Sequence, residues 1–352
     1  MSIAVITSVM IAVFCGLGLG YNFDEHYGKP GFPVLPPPRT TRQTTGGGGF
    51  ICVSPANCNN PNNTNVIDPR IVTPGTAQPT TCPAGQVECA CGTRYIPVVD
   101  EVAGATKQGA FPWQAYLEFN GRYNGSGVLV DPTHVVTAAH KVFPYMTTPQ
   151  AITVKMGVWN NPTGPNVQMS TVRAIRIHPG YQAKIPTLMD DIAILQLTTP
   201  IVLGKSPSVG AACLPSADIS QYIGRRCLVA GWGVTSFGAN DAPTMNQKQV
   251  QVPIVDYNTC RTSMMQGHVL GTNTDRFLDT GNREICAGGE ANRDACTQDG
   301  GSPLVCQGSA DGVFRVVGLV IWGKNCGQPN VYGVYVSVPA YLTWIRATIA
   351  AL

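Results

Sequence analysis

SGVLVDPTHVVTAAH, residues Ser126 to His140, is a run of β-forming residues broken once at Asp131-Pro132 and closed by a histidine. Short Val- and Thr-rich runs bounded by Gly, Pro, Asn and Asp have the composition of strands joined by turns. The same texture returns in RRCLVAGWGV (Arg225 to Val234) and RVVGLVIWG (Arg315 to Gly323). From about Asp100 onward the pattern predicts an all-β domain. Only the end departs from it. In VPAYLTWIRATIAAL, residues 338–352, Tyr341, Leu342, Ile345 and Ile349 fall on one helical face, which predicts a single helix closing the chain against the β-structure.

The full chain has 352 residues, 44% of them hydrophobic and 12% charged, enough for a large core plus a smaller module. Net charge is +3 with no basic run, which excludes an electrostatic footprint for nucleic acid. Residues 1–20, MSIAVITSVMIAVFCGLGLG, form an apolar run ending in small residues, as a signal peptidase site requires. Glycine interrupts the second half of that run, which argues against a membrane span, so a secreted, extracellular protein is expected. Cys15 would leave with the signal, and the mature chain keeps twelve of the thirteen cysteines, an even number suited to disulfides in an oxidising compartment. No Cys-X-X-Cys occurs and the five histidines are scattered, so neither a metal nor a cofactor is expected.

Residues 21–50 include GFPVLPPPRTTRQTTGGGGF, a Pro-, Thr- and Gly-rich linker without hydrophobic period. Residues 51–91 carry Cys52, Cys58, Cys82, Cys89 and Cys91, and so short a stretch needs cross-links to hold a fold. Residues 92–352 form the large domain.

Nucleophilic hydrolysis by serine needs an imidazole base, a carboxylate that orients it, a hydroxyl in reach and N–H groups for the oxyanion. His140 ends VVTAAH, Asp191 opens DIAIL, and Asp299-Gly300-Gly301 stands third. Together with PWQ (Pro112 to Gln114), GWG (Gly231 to Gly233), DAC (Asp294 to Cys296) and IWG (Ile321 to Gly323), these motifs resemble the trypsin and chymotrypsin family. The resemblance implies two six-stranded antiparallel β-barrels with the site between them. That family writes its nucleophile loop Gly-Asp-Ser-Gly-Gly-Pro, whereas this chain reads Gln298-Asp299-Gly300-Gly301-Ser302-Pro303. Gly300 replaces the serine and Gln298 a glycine of the oxyanion region, which implies a degenerate triad of His140, Asp191 and Gly300 and an inactive enzyme. Ser302 lies two positions downstream, too far for a nucleophile when about 1 Å of misplacement costs on the order of a hundredfold. Asp299 is the counterpart of the carboxylate that receives the new amino terminus after zymogen cleavage, but VVDEVAG offers no Ile-Val-Gly-Gly. Asp294 and Gly323 resemble the floor and wall of a pocket for an Arg or Lys side chain.

The resemblance further implies the bridges Cys227–Cys306, Cys260–Cys286 and Cys296–Cys326, and a link from Cys91 to Cys213 between the two modules. A bridge often found beside the active-site histidine is gone, its two places taken by Lys141 and Gly125. The remaining Cys52, Cys58, Cys82 and Cys89 suit a reduced clip domain with its pairing open. A clip-like module before a protease domain lacking its serine is similar to the masquerade-type serine protease homologues of arthropods. This implies a regulatory cofactor in haemolymph, with clip-domain proteases and prophenoloxidase as partners in melanisation. An adhesion or pattern-recognition protein and a weakly active endopeptidase are the alternatives, and oligomeric assembly is left open. DPRIV supplies a candidate processing site at Arg70-Ile71, and Asn62 and Asn124 are glycosylation sequons, the second adjoining a strand that would shield it.

Overall fold

The computed structural model describes residues 49–59, 82–83, 85–96, 103–183, 188–234, 243–266, 269–279, 282–296 and 298–352. The signal segment, nearly all of the 21–50 linker, Asn62 and Arg70-Ile71 lie outside the described residues, as does most of VVDEVAG.

Strands β1 (Phe50–Val53) and β2 (Val87–Ala90) form an antiparallel ribbon with Ile51 opposite Cys89. Two strands alone are marginal in water. The bridges Cys52–Cys82 and Cys58–Cys89 close loops of 30 and 31 residues, each worth about 3–4 kcal/mol on a chain-entropy estimate. The ribbon also leans on the large domain: Leu203 N–H donates to Asn57 O at 3.0 Å and Asn59 N–H to Leu203 O at 2.7 Å. Cys91–Cys213 fastens the same side covalently. Three residues further, the Arg94 guanidinium lies 4.4 Å from the Phe111 ring and 4.6 Å from the Phe314 ring, and its Nε donates to Ala110 O at 2.6 Å.

After the short strand β3 (Ala103–Ala105), the first barrel comprises β4 (Gln114–Phe119), β5 (Arg122–Asp131), β6 (His134–Thr137), β7 (Ile152–Met156), β8 (Gln168–Ile177) and β9 (Ala193–Leu197). It closes in the order β4-β5-β6-β9-β8-β7. Leu117, Leu129, Ile152, Val154 and Leu195 fill its interior. The second barrel comprises β10 (Arg226–Gly231), β11 (Lys248–Val255), β12 (Glu284–Gly288), β13 (Pro303–Gln307), β14 (Phe314–Trp322) and β15 (Tyr332–Ser337). Its order is β10-β13-β14-β15-β12-β11, β10 pairs with β11, and β3 adds a seventh strand on the free edge of β11. All pairings between the barrel strands are antiparallel, so the two expected six-stranded barrels are present. The opening stretch maps onto β5, the Asp131-Pro132 turn and β6, with Val128 facing Val136 across the hairpin.

Between the barrels, Trp113, Val128, Val136, Ile192, Val305 and Leu319 belong to one buried cluster. The C-terminal helix, Leu342–Ala351, buries Leu342 and Ile345 against that cluster and half-buries Ile349, as its apolar face predicts. Tyr341 sits in the turn just before it and donates to Asp190 Oδ1 at 2.7 Å.

Candidate functional site

The end of β6 delivers the chain into the short helix Ala139–Val142, which carries His140, while the stretch before β9 carries Asp191. Asp191 is fully buried and accepts twice from His140, from the backbone N–H to Oδ1 at 2.7 Å and from Nδ1 to Oδ2 at 2.5 Å. Those bonds fix the imidazole with Nδ1 protonated and Nε2 free to accept, the orientation a general base needs.

Gly300 stands opposite Nε2. A methyl group on Gly300 would lie 3.0 Å from His140 Nε2 and 2.5 Å from Lys141 Cε. The structure thus brings His140, Asp191 and Gly300 together, and with them Lys141, which the sequence did not reveal as an occupant of the site. Its aliphatic stem also comes within 3.2 Å of where a side chain on Gly125 would begin. The two positions that could have held a disulfide instead hold a lysine stem lying over a glycine. Desolvation lowers the Lys141 pKa, and the carboxylates of Asp299 and Asp191 pull it partly back up.

Ser302 is fully buried, and its hydroxyl accepts from Gln114 Nε2 at 3.3 Å; the same amide donates to Ala230 O at 2.9 Å. That hydroxyl is part of the packing between the barrels, held by Gln114. Gln298 holds φ at +72°, the left-handed region that favours glycine and costs another residue about 1–2 kcal/mol. The glycine-like backbone is retained although the residue has changed. Its carbonyl accepts from Tyr123 Oη at 3.3 Å, and the Gly300 carbonyl accepts from Ser126 N–H at 3.1 Å, so β5 supports the loop from beneath.

Asp299 accepts from Gly233 N–H at 2.9 Å and Cys296 N–H at 3.0 Å. Burial raises its pKa to about 6 against the pull of those bonds and of Lys141. Gly231 must be glycine here, because a side chain would meet Asp299 Oδ1 at 2.2 Å. Asp294 is raised to about 7, mainly by burial, with Gly327 N–H donating to Oδ2 at 3.2 Å. Its other oxygen is buried without a hydrogen bond. Gly323 and Gly333 face each other beside it, a side chain on Gly323 beginning 3.7 Å from Gly333 Cα, and one on Gly333 lying 3.0 Å from Asp294 Oδ1. Glycine at both places leaves a narrow slot with a carboxylate at its base.

Behind Asp191 lies a group that the sequence did not reveal. Asp190, at φ +53°, accepts from Arg283 Nη1 at 3.1 Å and from the Tyr341 hydroxyl, while Arg283 Nη2 reaches Asp279 Oδ1 at 2.6 Å. This clamp joins the first barrel, the second barrel and the C-terminal segment next to the orienting carboxylate. The bridges Cys227–Cys306, Cys260–Cys286, Cys296–Cys326 and Cys91–Cys213 are all formed as expected. No cluster of metal-ligating side chains occurs among the described residues, and no helix there is long and apolar enough to cross a membrane.

Residues 102–345 match the family described as Trypsin. The chain is 38% identical over 311 residues to the inactive CLIP domain-containing serine protease A3 of Aedes aegypti, covering 82% of this chain and 63% of that one. It is 33% identical over 270 residues to phenoloxidase-activating factor 2 of Galleria mellonella, covering 72% of this chain and 85% of that protein. With the inactive CLIP domain-containing serine protease A8 of Anopheles gambiae the identity is 31% over 256 residues, covering 69% of this chain and 66% of the relative. The chain spans less than two thirds of the length of the Aedes and Anopheles relatives. Two antiparallel barrels, a half-buried histidine bonded to a buried aspartate, and these similarities place the chain in the trypsin family, as a clip-domain serine protease homologue.

Proposed function

We propose that the protein is a secreted, non-catalytic regulator of an extracellular immune protease cascade, acting in haemolymph on the steps that activate prophenoloxidase and lead to melanisation. One observation carries the loss of catalysis: across from His140 Nε2 the chain has Gly300, with no oxygen to attack a carbonyl. Removing a triad nucleophile costs about a millionfold in the subtilisin example. From a typical turnover of about 10 per second, one event would then take on the order of a day. Ser302 offers no substitute, since its hydroxyl is engaged with Gln114. The His140–Asp191 pair persists as packing, a buried carboxylate satisfied by two donors.

The partner reading is supported by the names of the relatives, two inactive CLIP-domain proteases and a phenoloxidase-activating factor. Clip-domain proteases and prophenoloxidase are the proposed partners, processing at Arg70 the proposed maturation step, and the Asp294 slot a place to hold a basic side chain without cutting it. The test is a purified, processed chain assayed on Arg-containing esters and peptides, and then added to an active clip protease with prophenoloxidase. The expected result is no turnover above that of His140→Ala, together with raised phenoloxidase activity. Turnover that His140→Ala abolishes would defeat the non-catalytic reading, and phenoloxidase activity unchanged by the protein would defeat the regulatory one.

A further inference from the structure

We propose that Asn124 carries an N-linked oligosaccharide, which sets a sugar on the rim of the cleft beside the loop bearing Gly300. The sequon Asn124-Gly125-Ser126 lies inside β5, where an alternating strand would be expected to shield it. The structure differs from that expectation. Gly125 pairs with Leu117 and Tyr123 with Glu118, and the register shifts between them, so Asn124 is the extra residue of a β-bulge. A bulge releases one residue from the ladder and re-aims its side chain. Asn124 is exposed, whereas Gly125 and Ser126 beside it are buried.

The residues around the bulge fix where the sugar stands. Tyr123 donates to the carbonyl of Gln298, and the N–H of Ser126 donates to the carbonyl of Gly300. Asn124 lies between these two contacts. Gly125 makes the close approach feasible, because a side chain there would meet Gly300 O at 2.9 Å and the Lys141 stem at 3.2 Å.

The folded site also dictates when the sugar is attached. Transfer joins Asn124 Nδ2 to the anomeric carbon of an oligosaccharide carried on a polyprenyl diphosphate. The new N–C bond forms as the C–O bond to the diphosphate breaks, the diphosphate leaves with the bonding pair, and Nδ2 gives up one proton. The sequon is recognised through its third-position hydroxyl, and Ser126 Oγ is fully buried, 3.0 Å from Tyr123 Oη. The closed β4–β5 hairpin withholds that hydroxyl, so transfer precedes closure, while the chain enters the secretory pathway. The finished glycan then needs no rearrangement, since the Asn124 side chain already faces water. This inference requires passage through that pathway and nothing about partners, so it stands or falls apart from the cascade reading.

The experiment uses the full chain secreted from insect cells, treated with peptide-N-glycosidase in heavy-oxygen water and digested for mass spectrometry. Isotope-labelled aspartate at position 124 in most of the peptide is the expected result, whatever happens at Asn62. A peptide carrying mainly unmodified Asn124 overturns the assignment. Asn124→Gln, an exposed change at an unpaired position, should lose one glycan's shift on a gel. The order of events is read separately: a chain translated with transferase-bearing microsomes should be modified at Asn124, and the folded, unglycosylated chain given to the same enzyme should not. Equal modification of both refutes attachment before folding.

Discussion

Gly300→Ser restores the missing hydroxyl on paper, and the geometry predicts that it restores almost no chemistry. The new Cβ would stand 2.5 Å from Lys141 Cε, whereas carbon atoms settle at about 3.5–4.0 Å, so the lysine stem or the loop must give way by about 1 Å. If the loop moves, a nucleophile displaced by about 1 Å loses on the order of a hundredfold. Gln298 also sets a buried side-chain carbonyl, Oε1, in the oxyanion region where the family has a glycine, and the loss of one oxyanion donor costs roughly another hundred to a thousandfold. Against a typical turnover of about 10 per second, the single variant is expected near ~10⁻³ to 10⁻⁴ per second. Removing the obstruction should show directly. Gly300→Ser with Lys141→Ala is expected to exceed Gly300→Ser by roughly a hundredfold, the penalty assigned to displacement. The assay is single-turnover acylation by an Arg-type ester that releases a chromophore, with thermal unfolding to confirm that both variants fold. Turnover near 10 per second from the single variant, a typical enzyme rate of that order, would refute the steric argument. So would a folded double variant no faster than the single one.

The His140–Asp191 pair should behave as a structural element: Asp191→Ala is expected to cost about 3 kcal/mol or more, and His140→Ala about 1–3 kcal/mol, read as lowered Tm. Glu284, buried at the start of β12, has its pKa raised to about 7 by desolvation. Between the unfolded value near 4.3 and that value the folded state binds more protons, so this group's contribution to stability falls as pH rises through that window and stays low above it. Glu284→Gln should accordingly raise Tm at pH 8 more than at pH 4, and the reverse order in a pH-resolved melting series would contradict the assignment. Asp294 titrates about pH 7, so a benzamidine-type cation should bind more tightly above that pH than below it, and calorimetry on Asp294→Asn should find no binding. A cut after Arg70 falls inside the loops closed by Cys52–Cys82 and Cys58–Cys89. The fragments should separate on a gel only after reduction, while Arg94, held between Phe111 and Phe314, resists the same protease.

Features carried by local patterns were legible in the sequence. Strand runs and the closing helix each sit in a short window and pointed to an all-β domain ending in a helix, while both barrels and the cleft followed from the resemblance carried by the motifs around His140, Asp191 and Gly300. Four bridges followed from the resemblance because each cysteine sits beside a recognisable motif. The pairing of Cys52, Cys58, Cys82 and Cys89 did not, since four cysteines admit several pairings. The structure pairs Cys52 with Cys82 and Cys58 with Cys89, and two of these four cysteines lie outside the β1–β2 ribbon. The position of Lys141 was also hidden, because its stem fits only where Gly125 and Gly300 both lack side chains, a condition spread over three distant parts of the chain. The Asp190–Arg283–Tyr341 clamp joins residues about as far apart in sequence as two barrels allow, and no spacing rule reaches it. The shielding expected of Asn124 was wrong because alternation assumes an unbroken ladder and β5 carries a bulge there.

The interlock of Gly125, Lys141 and Gly300 makes the loss of chemistry hard to undo by descent. A side chain returning at either glycine meets the lysine already filling the space, and a small residue returning at 141 leaves a hollow between the two glycines. A serine at 300 therefore has to displace the Lys141 stem, and a side chain at 125 has to displace the carbonyl of Gly300 as well, so the two glycines and the lysine constrain one another as a set.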